Sequence, residues 1–299
     1  METVTIGIAS LGRPCLSRTL QSLCAIEIPP GYTVEIVVAD DDRGGAARAR
    51  IADGEPWGLP VRGLAVGAGN ISAARNACLD ATTGSWLAFV DDDEWVDPDW
   101  LVRMFAACEE FGADIVVGPV FPQYPPGTPA WLVAANPIYK DMGPRGLRID
   151  TGRAGNVLIR RAIVEQAQAR FDPALGKTGG EDTDFFHRLY KAGAVIVVTD
   201  DARIYEEVPP GRLQPSYMRR RALRAGQSYA RFRLRDRRGL YPSGLLFHLD
   251  AAAKCAVGFA GAWLLRPVRR GGSLRLEQKA WMNLGKLRQI TGLALPSMY

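Results

Sequence analysis

Trp86-Leu87-Ala88-Phe89-Val90 runs directly into Asp91-Asp92-Asp93-Glu94. Five apolar strand formers deliver four acids to one point, which places the carboxylates at the C-terminal end of a buried strand and not along a solvated helix face. Packed acids repel one another. A hard divalent cation such as Mg²⁺ or Mn²⁺, taking oxygen ligands from carboxylates and phosphates together, is the natural compensation. The competing reading is a solvated acidic turn before a helix, with Asp97-Pro98-Asp99 as its N-cap region.

The same join recurs upstream. Residues 3–9 are β-branched and apolar and break at Ser10-Leu11-Gly12-Arg13-Pro14, before a helical pattern through Leu16, Leu20 and Leu23 that begins near Ser17 or Thr19. Residues 34–38 form a second strand ending in Asp40-Asp41-Asp42, and residues 61–66 a third. Gly67-Ala68-Gly69-Asn70-Ile71-Ser72 then opens a helix bearing Arg75 and Asn76. A helix through Trp100, Met104 and Cys108 and further strands at 113–118, 151–159 and 195–198 continue the alternation. Such alternation implies an α/β fold with a mainly parallel sheet, and ligands of such sheets bind beyond the carboxyl ends of the strands, where both acid clusters lie. Residues 119–150 are rich in Pro and Gly and carry Phe121, Tyr124, Trp131 and Tyr139. This stretch either shapes a pocket or covers the sheet edge.

Two other motifs have double readings. Gly67-x-Gly69-x-x-Ser72 is a near miss to a dinucleotide fingerprint, which leaves an NAD-dependent oxidoreductase as an alternative, although the third Gly is missing and two strands precede it. Gly179-Gly180-Glu181-Asp182-Thr183-Asp184 puts acids at a helix start, either as a carboxylate held for chemistry or as an N-cap at Asp182 or Thr183. His187 follows on that helix, a residue for packing or solvent with late metal ligation as the rival.

The formal net charge of +5 hides an asymmetry: residues 1–202 carry 18 Lys and Arg against 27 Asp and Glu, and residues 203–299 carry 19 against 5. A basic C-terminal segment of this kind meets an anionic partner. Tyr217 to Arg231 reads as a helix with a dense arginine face, including Arg219, Arg220 and Arg224. The longest uncharged apolar run, Cys255 to Leu265, has 11 residues, short of a bilayer span. With Trp263 and the neighbouring Arg266, Arg269 and Arg270 it fits a helix on an anionic membrane surface, with a helix buried against the catalytic domain as the rival. The aromatics do not interleave with the charges as a nucleic-acid platform requires, so no nucleic-acid partner is expected. Five cysteines without C-x-x-C spacing read as reduced thiols, and Met1–Ile6 enters a strand pattern at once, so a cytoplasmic location is expected, on the inner face of the membrane if peripheral.

Together, the acid cluster after the second strand, Gly69 to Asn76 with its Ala-Arg-Asn, Phe-Val-Asp-Asp-Asp-Glu, and the Gly-Gly-Glu-Asp-x-Asp stretch running to Gly193 resemble the family 2 glycosyltransferases over residues 3–208. The resemblance implies an inverting nucleotide-diphospho-sugar transferase of GT-A fold, with residues 1–208 as catalytic domain and 209–299 as a basic helical region. It implies that Asp40 and Asp42 meet the nucleotide, with Ser10 and Arg13 lining the same pocket and Arg75 and Asn76 beside it. Asp91 and Asp92 would contact the donor, and Asp93 with Asp91 would hold the metal. Asp182 matches the family's catalytic base, with Glu181 orienting base or acceptor. The partners implied are a nucleotide-diphospho-sugar donor, most commonly UDP-linked, and a saccharide or lipid-linked acceptor. Arg219, Arg220 and Arg224 become candidates for diphosphate or acceptor contacts. A nucleotidyltransferase on a related fold is the other enzyme alternative.

Overall fold

The computed structural model describes residues 1–54, 56–235 and 243–289; the other residues of the expected basic C-terminal region lie outside those described. Strand β1 (Glu2–Ser10) pairs in parallel with β2 (Tyr32–Asp40) in a register that sets Ser10 opposite Asp40. Between them lies α1 (Leu16–Cys24), which starts one residue before Ser17. Next come α2 (Ala46–Asp53), β3 (Val61–Ala65), α3 (Ile71–Ala81), β4 (Trp86–Phe89) and β5 (Glu94–Val96). They are followed by α4 (Trp100–Phe111), β6 (Ile115–Val117), β7 (Val120–Gln123) and α5 (Ala130–Ala135). The chain continues through β8 (Val157–Arg160), α6 (Arg161–Gln166), α7 (Glu181–Lys191), β9 (Ile196–Val198) and β10 (Ile204–Glu207). Three long helices complete it: α8 (Pro215–Arg235), α9 (Ser243–Leu265) and α10 (Arg270–Arg288).

The main sheet has seven strands in the order β3-β2-β1-β4-β8-β6-β9. All its pairings are parallel except those of β8, which runs antiparallel between β4 and β6. A small second sheet has the order β5-β10-β7. Period-2 alternation explains why the strands read as continuous apolar runs: Ile36 and Val38 enter one core, Val37 and Ala39 the other. On the first face Ile6, Ile8 and Trp86 pack against Leu16, Leu20, Trp100 and Met104 of α1 and α4. On the second face Leu87, Phe89 and Val157 pack with Ala74 and Cys78 of α3 and with Phe185, Phe186 and Leu189 of α7. Each such side chain stabilises the fold by roughly 1.5–3 kcal/mol on burial, so α3 and α7 are held side by side on one face. That placement decides the site.

The chain divides into two compact units, Met1–Phe121 with Lys140–Glu206, and Pro122–Tyr139 with Glu207–Tyr299. The departure from a simple division after residue 208 is the Pro- and Gly-rich stretch, part of which sorts with the C-terminal helices. Within that second unit α5 meets α10, where a Cβ on Gly271 would lie 3.2 Å from the Ala135 Cβ. Gln278 Nε2 donates to the Pro137 carbonyl and Arg221 Nη2 to that of Ile138, each at 3.2 Å. Helices α8 and α10 cross at glycines: a Cβ on Gly226 would stand 1.8 Å from the Met282 carbonyl oxygen, and one on Gly285 2.1 Å from that of Leu223. Only glycine permits either contact.

Candidate active site

The turn after β1 and the acid stretch after β4 are tied through Asp92. Ser10 Oγ donates to Asp92 Oδ2 at 2.7 Å and itself accepts the Gly12 N–H at 2.9 Å. Thr19 Oγ1 donates to the Asp92 carbonyl at 3.1 Å, and the Arg13 guanidinium forks onto Asp92 and, at 3.0 Å, onto Asp93 Oδ2. Burial works against the Arg13 charge, but the bond to Asp92 and the charges of Asp92 and Asp93 outweigh it and raise its pKa. Asp92 is buried. In this geometry it organises the Ser10–Arg13 turn, and Asp91 and Asp93 remain the more exposed acids of the stretch.

Arg75, on α3, joins the second half of the site to the first. Its Nη1 donates to Glu181 Oε1 at 2.9 Å and its Nη2 to Asp91 Oδ1 at 3.3 Å, with the Arg75 and Glu181 side chains only 6% and 9% exposed. Burial, and then the neighbouring Asp182, push the Glu181 carboxyl above the usual range despite Arg75. Glycine makes the helix start possible, because Gly180 stands before α7 at φ 95° with no side-chain cap. Asp182 is therefore inside the first turn and not the N-cap. Its Oδ1 accepts the Thr183 N–H at 2.7 Å. His187 places Nδ1 3.1 Å from the Asp150 carbonyl oxygen, which requires the proton on Nδ1.

Other expected ligand residues are engaged with the protein itself. Asp40 is wholly buried and accepts the N–H groups of Asp42 and Arg48 at 3.2 and 3.0 Å. Asp42 accepts the Ala46 N–H at 3.2 Å and steadies the start of α2. Asn76 exchanges two hydrogen bonds with the Phe171 backbone, at 2.8 and 2.9 Å, and so fixes the loop before α7. Asp41 accepts from the backbone N–H groups of Ala68, Gly69 and Asn70 at 2.7, 2.9 and 2.6 Å. Those are the donors that a dinucleotide pyrophosphate would need, so the Gly67–Ser72 turn is closed by a carboxylate of its own chain. Arg219, Arg220 and Arg224 belong to the helical unit, where Arg219 Nε bonds Glu277 Oε1 at 3.2 Å.

Two residues received no individual role from the sequence. Glu94 is the buried last member of the acid stretch; its Oε2 accepts the Asp91 N–H at 3.0 Å, and burial, followed by the Asp91 charge, lifts its carboxyl well above the usual range. A Cβ on Gly155 would come within 3.0 Å of Glu94 and 3.3 Å of Asp91, so bare backbone covers both acids. Arg153, two residues earlier, has its Nη2 buried with no hydrogen-bond partner among the described residues. Thr151 Oγ1 reaches the Thr183 carbonyl at 3.3 Å, so this short loop runs between the start of α7 and Asp91. Its Gly-Arg-Ala-Gly composition was the available signal.

The acids around Asp93 crowd one another. Burial, then Asp91 and Glu206, push the Asp93 carboxyl up to about 6, with Arg13 only partly offsetting them. Such a surplus of carboxylate suits Mg²⁺ or Mn²⁺, which commonly takes one or two protein carboxylates and completes its shell with phosphate oxygens and water. Among the described residues no group of three or more His, Cys, Asp or Glu converges to form a complete cage. Asp91 and Asp93 are the residues that could hold the ion.

The fold is that of the GT-A transferases. TarS 1-349 of S. aureus, solved in complex with UDP-GlcNAc, superposes with a TM-score of 0.56 at 16% identity, covering 98% of this chain and 92% of that one. GalNAc-T7, solved with UDP, GalNAc and Mn²⁺, gives a TM-score of 0.54 at 16% identity over 70% of this chain and 44% of that one. The family itself follows from sequence. The glycosyl transferase family 2 model matches residues 6–167, more than half of the chain. The succinoglycan biosynthesis protein ExoM of Rhizobium meliloti (strain 1021) is 38% identical over 244 residues, which is 79% of this chain and 77% of that protein. The chain belongs to glycosyl transferase family 2.

Proposed function

We propose that this glycosyltransferase moves a sugar from a UDP-sugar to a hydroxyl of a saccharide or lipid-linked acceptor in polysaccharide assembly, with inversion at the anomeric carbon. The observation that carries the reading is the bridge of Arg75 between Glu181 and Asp91, which gathers the two acidic motifs around one guanidinium. The names of ExoM and of the UDP and UDP-GlcNAc complexes of TarS support the pathway class and the donor.

In this mechanism Asp182 takes the proton of the acceptor hydroxyl through Oδ2 as the acceptor oxygen bonds to the anomeric carbon and the bond to the diphosphate breaks. Glu181, fixed by Arg75, holds the first turn of α7 so that Asp182 faces the acceptor. Asp91 and Asp93 would hold the divalent ion. When bound, that ion supplies positive charge to the departing diphosphate. Arg153, whose buried Nη2 has no hydrogen-bond partner among the described residues, would add a second cation there. A single base opposite the leaving group gives inversion, and no second carboxylate nucleophile is required.

Isothermal titration of the protein with UDP, GDP and NAD, each with and without Mn²⁺ and repeated on Asp93→Ala, tests the reading. Metal-dependent binding of UDP that weakens in the variant is the expected result. Binding of NAD without metal, and of neither diphosphate, would overturn it.

A further inference from the structure

Helix α9 presents a surface that sugar transfer does not use. One side packs on α10 through small residues: a Cβ on Gly258 would lie 2.9 Å from the Ala280 Cβ, and Ser273 Oγ donates to the Ala262 carbonyl at 2.7 Å. The opposite side faces solvent. There Leu245, Leu246, Leu249, Val257, Trp263 and Leu264 are between 52% and 75% exposed. At the helical repeat, these residues and the exposed alanines between them fall within an arc of about 140° that runs for about 29 Å. No polar residue interrupts it. Asp250 and Lys254 lie off its edge and pair with each other at 2.7 Å. An exposed apolar stripe of this size marks an interaction surface, and only 17% of the Gly244–Leu265 window is buried.

The chemistry around the stripe selects its occupant. Exposed Arg266, Arg269 and Arg270 follow the helix at once, and residues 203–299 carry 19 Lys and Arg against 5 Asp and Glu. Trp263, Leu264, Arg266 and Pro267 line an open hollow of about 480 Å³, so an indole and a guanidinium flank one depression, as at a membrane interface. The window is long and apolar enough to cross a bilayer. Its packed neighbour α10, however, exposes Arg275 and Lys279, and a spanning α9 would draw those charges into hydrocarbon.

We propose that α9 lies in the plane of an anionic bilayer, its apolar stripe at the boundary between headgroups and acyl chains and Trp263 and Arg266 at the headgroup level. The inference is independent of the sugar chemistry, and its test uses no sugar.

The full chain is sedimented with phosphatidylcholine vesicles and with vesicles containing about 30% phosphatidylglycerol at ~0.1 M salt. Binding to the anionic vesicles is expected, with Trp fluorescence quenched by lipids brominated near the glycerol end of the chains and less so in Trp263→Phe. The double variant Leu246→Glu/Val257→Glu, at two exposed positions, binds at least about tenfold more weakly with unchanged far-UV circular dichroism. Arg266→Gln/Arg269→Gln/Arg270→Gln loses the preference for anionic lipid. Unchanged binding of the Leu246/Val257 variant would overturn the proposal in favour of adsorption by arginines alone. So would stronger quenching from bromines at the bilayer centre, which marks a spanning helix, or a dimer in vesicle-free solution that the same variant dissolves.

Discussion

Arg75 Nη1 donates to Glu181 Oε1 at 2.9 Å although the two residues are 106 positions apart in the chain. Both are buried, and the other arm of the guanidinium reaches Asp91 at 3.3 Å. Removing one partner of such a pair leaves a buried, uncompensated charge, at a cost of roughly 3–5 kcal/mol.

Arg75→Met is therefore expected to lower the melting temperature and to reduce kcat by about 100-fold or more, because the first turn of α7 loses its anchor. Arg75→Met/Glu181→Gln removes the stranded charge. It should recover much of the melting temperature while kcat stays low, and thermal denaturation beside steady-state kinetics checks both.

Asp182→Asn keeps the shape of the turn but cannot take a proton. A fall in kcat of about 10²–10⁴-fold is expected, with UDP affinity by titration unchanged. A comparable loss of UDP affinity would mean that Asp182 serves the donor and not the proton.

Glu181 sets an acid limb. Its folded pKa is raised by burial and by Asp182, so on lowering the pH it takes up a proton before an ordinary carboxylate does and releases its charge from Arg75. Log kcat/KM should accordingly fall on the acid side at a pH above the usual glutamate range. In Glu181→Gln that limb should move to lower pH, with the maximum reduced. A pH profile with UDP-sugar below saturation measures both.

Asp93→Asn should abolish the gain in UDP affinity that Mn²⁺ provides and leave metal-free binding nearly unchanged. Titrations with the metal and with a chelator give the two values. Equal losses under both conditions would assign Asp93 to direct contact with the nucleotide.

Arg153→Met removes the buried Nη2 that has no partner among the described residues. UDP affinity should drop by about 10- to 100-fold, in the range of a charge-assisted hydrogen bond, with the affinity for uridine unchanged. The melting temperature should hold, since no protein hydrogen bond of that atom is lost.

The parts of the fold legible from sequence were those governed by local period. The apolar runs that become β1, β2 and β4 announced themselves, as did the acids at the carboxyl ends of β2 and β4, because a buried strand must stop where charge begins. Arg75 was legible as a residue near the site, but its role was not. On α3 it could only be assigned to a helix face, and its partners depend on α7 packing beside α3 on the same side of the sheet. Asn76 read as a nucleotide neighbour, yet it clamps Phe171, 95 residues away. The extent of α9 was also obscured: Asp250 and Lys254 shortened the apolar run on paper, whereas in the helix they pair at the edge of the stripe and leave it unbroken.

Sequence alone determined that acids would gather at the strand ends, since strand period and hydrophobic burial leave a run of carboxylates no other place to go. Tertiary structure decided which donors each of those acids meets. Asp41 is taken by the backbone of the Gly67 turn and Asp92 by Ser10 and Arg13, while Asp91 meets Arg75 and Asp93 meets Arg13. The reason is physical: a carboxylate is satisfied by whichever donors the fold brings to it, and these come from segments far away in the chain.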